Sequence, residues 1–407
     1  GLVAILAVFP ALTGWIAARW AATTGAYAWL VALPALWVLT EWCRGWIFSG
    51  FGWLSAGYSQ SDSWLMGWAP VLGLNAMSWA VLASAGALVA LAAGRTRARI
   101  AGGCVLAVVW LAGFAFRAHT WTEPEGAPLT VSLVQGSVPQ ELKWNPAQFD
   151  RTLAVYRRLT EQSAGRRLIV WPEAAINAPI EYVPDYIAEI ERWAKAHDAS
   201  ILVGILKGNV EDWQNVVVSL PGPRSVYAKR HLVPFAESFP VPGFVRAWLR
   251  LMTLPYIDAE PGRPDQPPLD VAGQRIGVTI CYEDVFGAEQ LTYLPEATLL
   301  VNVSNDAWFG DSIAPHQHLQ IARVRAAEAG RYLLRATNTG VTAIVDPRGE
   351  VVDRLPQFVA ATLEGSVTGM KGATPYARVG NYPVVTAAFL LVLGPIALRL
   401  WRARGRG

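Results

Sequence analysis

A carboxylate, an ammonium and a thiol stand in this chain at the ends of three short apolar runs. Leu168-Ile-Val-Trp-Pro-Glu173 sets a carboxylate just past Pro172, a residue that stops ladder pairing and ends a strand. Ser225-Val-Tyr-Ala-Lys229 sets a lysine among apolar residues, and Arg275-Ile-Gly-Val-Thr-Ile-Cys281 ends in a cysteine followed by Tyr282, Glu283 and Asp284. The other two cysteines, Cys43 and Cys104, lie in or beside hydrophobic stretches as ordinary packing residues, which leaves Cys281 without an obvious disulfide partner. A thiol is a poor nucleophile until deprotonated, and a carboxylate of raised pKa in a partly dry site can take its proton. The lysine supplies positive charge where a tetrahedral intermediate builds an oxyanion, helped by the backbone N–H after the cysteine. A thioester would follow, with Glu173 deprotonating the amine or water that resolves it. Taken singly, the three are most simply a loop charge, a solvated lysine and a buried cysteine; it is their combination that points to chemistry.

Each residue needs a strand to hold it. Ile276 to Ile280 is a continuous apolar run that reads as a buried strand, and the polar residues after it turn the chain outward. Around these strands the composition is unusual: 53% hydrophobic and 16% charged, against about 25% charged in ordinary soluble domains. Part of the chain is therefore expected in lipid. Leu2 to Ala18, Tyr27 to Trp42, Met66 to Ala93, Ile100 to Phe116 and Val384 to Leu400 approach or reach the roughly 20 apolar residues that a spanning helix needs. Between them lies a stretch of short apolar runs, charges and Gly/Pro-rich pieces that reads as one water-soluble domain. The expected organisation is a transmembrane helical domain over residues 1–120, an extracytoplasmic domain over 128–378, a last transmembrane helix over 382–401 and a basic tail over 402–407. The chain opens in mid-hydrophobic segment, so helices upstream of it are expected.

Orientation follows from the basic residues, which stay cytoplasmic in short loops. Gly94-Arg-Thr-Arg-Ala-Arg99 is the strongest such loop, and the tail Arg399-Leu-Trp-Arg-Ala-Arg-Gly-Arg406 is basic again. Both place the large domain outside the cytoplasm. These anchors largely account for the net charge of +3, which carries no nucleic-acid reading.

Trp171-Pro-Glu173, Lys229 within Lys-Arg-His-Leu-Val-Pro-Phe, and Ile280-Cys281-Tyr-Glu283 resemble the Glu-Lys-Cys signature of the nitrilase, or carbon-nitrogen hydrolase, superfamily. Val131-Ser-Leu-Val-Gln-Gly136, Lys143-Trp144, Val303-Ser-Asn-Asp-Ala-Trp-Phe-Gly310, Thr374-Pro-Tyr-Ala-Arg378 and the membrane stretch Pro34 to Trp46 narrow the resemblance to the apolipoprotein N-acyltransferase family. One departure is Ala236 before Glu237, where that family more often has glycine.

The resemblance implies a nitrilase-like α-β-β-α sandwich fused to a transmembrane helical domain, an α+β membrane protein. It makes Glu173 the general base, Lys229 the oxyanion-stabilising cation and Cys281 the nucleophile acylated by phospholipid. Glu237 is then expected beside Lys229, Glu283 beside the thiol and acceptor amine, and Tyr282 and Trp144 along the substrate cleft. No cofactor is expected, and although His316 and His318 invite a metal reading, no Cys or carboxylate cluster at metal spacing accompanies them, so no metal is expected either. The partners that the resemblance implies are a phospholipid acyl donor, a diacylglyceryl-apolipoprotein acceptor and the lipid bilayer, with no nucleic acid, in the bacterial cytoplasmic (inner) membrane with the catalytic domain facing the periplasm. The rivals are a membrane-tethered nitrilase-type amidase acting on a small amide, which would share the triad, and a non-catalytic membrane protein.

Other segments invite narrower expectations. Asn305 and Trp308 read as supports of a site-forming turn. Phe239 to Pro255 carries Phe244, Trp248, Leu251 and Met252 at helical spacing, as in a surface-lying lid or a helix packed on the core. The aromatic Arg44–Asp62 loop is either an interfacial belt or the wall of a lipid-accessible cleft.

Overall fold

The computed structural model describes residues 2–143, 146–209, 212–238 and 259–404. Trp144 and the segment Phe239 to Pro255 therefore lie outside the described residues. The chain divides into two compact units, Gly1–Trp121 with Ala373–Gly407, and Thr122–Gly372.

The first unit is helical. Helix α1 (Leu2–Thr24) is followed by a π-helical turn that runs into α2 (Leu33–Arg44), then by 3-10 turns that lead into α3 (Ala69–Ala93) and by α4 (Thr96–Ala118). A further helix, Tyr382–Arg404, closes the unit. Its elements follow the five apolar stretches of the sequence. Trp64–Ala93 and Thr96–Ala118 are long and apolar enough to cross a bilayer. Small residues let these helices approach: a Cβ on Gly67 would sit 2.0 Å from the Gly113 carbonyl oxygen. Gly73, at φ +75°, interrupts α3 in a conformation that only glycine adopts freely. Buried Glu41 pins the loop after α2 by accepting hydrogen bonds from Trp37 Nε1 and the Ala56 amide, both at 2.8 Å. Within that loop Tyr58 is buried while Trp46 and Phe48 are exposed.

The second unit contains two sheets. The first has the order β13-β1-β2-β4-β5-β6, built from β1 (Glu123–Gln135), β2 (Leu168–Val170), β4 (Ser200–Gly208), β5 (Trp213–Leu220), β6 (Val226–Ala228) and β13 (Ala361–Lys371), with β3 (Ile176–Pro179) joined to β4. The second runs β12-β11-β10-β9-β8-β7, from β7 (Leu269–Val271), β8 (Gln274–Ile280), β9 (Leu299–Ser304), β10 (Leu333–Thr337), β11 (Ala343–Val345) and β12 (Val351–Arg354). In each sheet three successive strands are parallel (β1-β2-β4 and β8-β9-β10) and the flanking pairs antiparallel.

Side-chain alternation sets the layers. Leu168, Val170, Leu202 and Val217 face Ile276, Val278, Ile280, Leu299, Val301 and Val303 in the core between the sheets. Their neighbours Ile169, Ile201, Val203, Val216 and Val218 turn the other way, against Tyr156 and Leu159 of α6 (Phe149–Gln162) and Ile187 and Ile190 of α7 (Pro184–Ala196). A short helix, α5 (Gln140–Lys143), precedes these two. On the second sheet Leu300 and Leu333 meet Leu319, Ala322 and Ala326 of α8 (Ala314–Ala329). The result is a helix-sheet-sheet-helix sandwich whose central strands are buried on both faces, which is why they read as continuous apolar runs.

Candidate active site

Strand β2 ends at Val170, and three residues on, beyond Pro172, Glu173 turns into the protein; β6 ends one residue before Lys229. Both come from the seven-stranded sheet. Cys281 follows β8 of the other sheet directly and sits at φ +52°, the left-handed region that costs a non-glycine residue about 1 kcal/mol or more. The thiol is thus presented on a sharp, strained turn at a strand end.

Lys229 is 1% exposed and bridges two carboxylates, with Nζ 3.1 Å from Glu173 Oε1 and 2.8 Å from Glu237 Oε1. Glu173 is held from every side. Asn215 Nδ2 donates to its Oε1 at 2.7 Å, the Asn305 amide donates to its Oε2 at 2.8 Å, and Lys143 Nζ donates to its backbone oxygen at 3.3 Å. A buried carboxylate so paired is a fixed acceptor, since losing any donor would strand charge in the interior.

Burial alone would push the Glu173 pKa up. Lys229 and Lys143, together with hydrogen bonds from Lys229 and Asn215, more than offset it and hold the carboxyl below its usual range. The expectation of a raised pKa is corrected here, because two ammonium groups rather than apolar walls surround this carboxylate. Lys143 answers in kind: burial lowers its pKa to about 8 against the opposing pull of Glu173 and Cys281. The Cys281 thiol is pushed well above its ordinary value by burial and by Glu173, with Lys229 opposing. At rest the site therefore holds a thiol beside an ionised carboxylate.

Glu237 lies beside Lys229 and also accepts from the Val233 amide at 2.9 Å. Glu283 is fully occupied as an acceptor. Its carboxylate takes hydrogen bonds from the Ile280, Arg230 and His231 amides at 2.7, 2.7 and 3.1 Å, and from Tyr227 Oη at 3.0 Å. It ties the end of β8 to the segment after β6, and so sets Cys281 against Lys229. Tyr282 is buried, its ring edge-on to Phe286 at 5.2 Å. Trp308 is 69% exposed, so it is no packed support; its neighbour Asn305 is buried and bonds Gln140 and Asn338.

His318 is not at the surface but inside a buried ion cluster. Its Nδ1 lies 2.8 Å from Asp306 Oδ1, and its Nε2 lies 3.0 Å from Asp284 Oδ1 and 3.2 Å from the Cys281 carbonyl oxygen. Arg335 completes the cluster, 2.9 Å from Asp306 and 3.5 Å from Asp284. The sequence reading missed this cluster, and missed Asn215. The available signal was Asp306 and His318 spaced across a turn and a helix start, but their partners come from two other elements.

The family model for carbon-nitrogen hydrolases matches residues 130–376. That for the apolipoprotein N-acyltransferase N-terminal domain matches residues 1–87. An apolipoprotein N-acyltransferase from Nitrosomonas europaea is 46% identical over 96% of this chain and 79% of its own length. One from Methylococcus capsulatus is 44% identical over 94% and 77%. The solved structure of the C. elegans NitFhit protein aligns over 66% of this chain and 64% of its own at 16% identity and a TM-score of 0.47. With a residue-by-residue likeness that runs through both units, the chain belongs to the apolipoprotein N-acyltransferase family.

Proposed function

We propose that the protein N-acylates apolipoproteins in two half-reactions through Cys281. In the first, the Cys281 sulfur attacks an acyl ester of a phospholipid while its proton passes to Glu173. The C–S bond forms as the carbonyl π pair moves onto oxygen, where Lys229 and the Tyr282 amide stabilise the oxyanion. Collapse breaks the ester C–O bond, and the departing alkoxide takes the proton from Glu173 to leave as lysophospholipid. In the second, the α-amine of a diacylglyceryl-cysteine attacks the thioester, Glu173 takes the amine proton, and the C–S bond breaks. The returned proton restores the thiol, and the product is an amide.

The observation that carries this reading is the pairing of Lys229 with both Glu173 and Glu237 in one buried site, with Cys281 on a strained turn where the Glu173 and Lys229 charges act on its thiol. The elevated thiol pKa fits a nucleophile deprotonated only as it attacks. Glu283 acts through the backbone, since its lone pairs are already taken. The apolar helices of the first unit anchor the enzyme in the bacterial cytoplasmic membrane, with the catalytic unit on the periplasmic side. A lipid-anchored donor and acceptor then meet the thiol by search in two dimensions.

Intact-mass analysis after exposure to phospholipid vesicles tests it. The expected result is one acyl adduct on Cys281, absent in Cys281→Ser and discharged by a diacylglyceryl lipopeptide. Release of ammonia from small amides with no adduct from phospholipid would favour the amidase reading instead.

A further inference from the structure

The mechanism leaves the cluster of Asp284, His318, Asp306 and Arg335 unused, yet its construction is costly. All four side chains are at most 1% exposed, and they come from four elements: the turn after β8, α8, the turn after β9, and β10. Two carboxylates and two cations form a balanced set, since Asp284 and Asp306 overcome burial and Arg335 to raise the His318 pKa to about 9. Burial opposes the charge on Asp306 as well, and His318 and Arg335 hold its pKa low. An apolar filling of the same volume would often be as stable, so stability alone does not account for the cluster.

A specific task is visible in what the cluster touches. His318 Nε2 is 3.2 Å from the Cys281 carbonyl oxygen, and Asn302 Nδ2 donates to the same oxygen at 3.4 Å. Arg335 in turn bonds Asn302 through its Oδ1, so both donors belong to one network. The Cys281–Tyr282 peptide is trans, and in a rigid trans peptide the C=O and the N–H point to opposite sides. Drawing the Cys281 carbonyl into the cluster therefore turns the Tyr282 N–H away from it.

We propose that this buried cluster is the positioning device of the oxyanion site, with His318 as its key positioning residue: by gripping the Cys281 carbonyl it holds the strained turn and aims the Tyr282 N–H at the oxygen of the carbonyl under attack. The inference rests on Cys281 being the nucleophile. His318 acts through the backbone and touches no substrate. The charged groups that face it are Asp284, Asp306 and Arg335.

Two substitutions separate the contacts of the imidazole. In His318→Asn the amide can replace Nδ1 toward Asp306 but cannot reach the Cys281 carbonyl. In His318→Gln the amide nitrogen takes the place of Nε2. The full chain, solubilised in detergent, is assayed for acyl transfer from phospholipid to a diacylglyceryl lipopeptide. Rates are expressed per Cys281 thiol titrated with iodoacetamide and read by peptide mass, on the monodisperse fraction from size-exclusion chromatography in detergent.

Alkylation forms no oxyanion, so its rate constant should be unchanged in both variants. The kcat of His318→Asn should fall about 100-fold with KM little changed, the size of effect seen when one oxyanion donor is removed, and His318→Gln should recover about a tenfold part of it. Equal losses in the two variants, a parallel loss of alkylation, or an unchanged kcat would each overturn the proposal. Cys281→Ala is measured alongside. If it is active, the nucleophile assignment itself is wrong; if it is inert while His318→Asn matches the parent protein, only the role of the cluster falls.

Discussion

In the proposed reaction, proton transfer from Cys281 to Glu173 runs from a thiol held high to a carboxylate held low, so the transfer is coupled to attack rather than completed before it. Catalysis then depends on how strongly the two lysines hold Glu173. In the proposed reaction Lys229 serves the oxyanion, whereas Lys143 Nζ bonds the Glu173 backbone oxygen and acts on the carboxylate through its field. Replacing it tests that balance. Glu173 must be ionised to act as base, so activity is lost as pH falls through its pKa. Removing one of the cations that lower this pKa raises it. The acid limb of kcat/KM in Lys143→Met should therefore move to higher pH, measured with a short-chain ester to keep acylation in view; an acid limb that stays put or moves down would show that Lys143 does not set the base. No residue near Glu173 in sequence foretold this. Lys143 is 30 positions away, and Asn215, its other close partner, reads in the sequence as an unremarkable strand polar residue.

At the scale of elements, the site depends on how closely backbone segments approach. Gly204 in β4 lies under the turn that carries Glu173. A Cβ there would stand 2.1 Å from the Pro172 carbonyl oxygen and 2.9 Å from the Glu173 Cα, both backbone atoms that cannot swing aside. The Gly204 carbonyl also accepts from the Ala175 amide at 2.8 Å, so β4 and the turn are stitched together at this point. Gly204→Ala should cost about 1–3 kcal/mol in unfolding free energy, as overpacking does. By displacing Glu173 on the order of 1 Å it should cut kcat about 100-fold. Chemical denaturation and steady-state rates on the same preparation would check both, and full activity would show that the turn has slack. The strand that presents the thiol was legible: Ile276 to Ile280 falls within β8. Local period and local terminators carry that information. The ion cluster around His318 was not legible, because its four members lie on separate elements and each alone reads as a surface charge or a metal candidate.

At the scale of the whole molecule, orientation across a membrane follows from the basic residues more directly than from the fold. Arg95, Arg97 and Arg99 sit at the start of α4, and the last helix, Tyr382–Arg404, carries Arg399, Arg402 and Arg404 at its end. Moving such charges across a bilayer is costly, and the bias of Lys and Arg sets topology. If both basic ends stay in the cytoplasm, α4 carries the chain out before residue 122 and the last helix brings it back after residue 372. The catalytic unit is then enclosed between two crossings of opposite direction, an arrangement that an inverted α4 could not satisfy without moving both arginine clusters. Single cysteines test this in a background where Cys43, Cys104 and Cys281 are alanine. Arg263, in the catalytic unit, has a side chain 80% exposed, and Arg97 is also exposed. A membrane-impermeant maleimide added to intact spheroplasts should label Arg263→Cys at once and Arg97→Cys only after permeabilisation. The opposite order would place the catalytic unit in the cytoplasm, and the periplasmic assignment would fall together with its account of how the acceptor amine reaches the thioester.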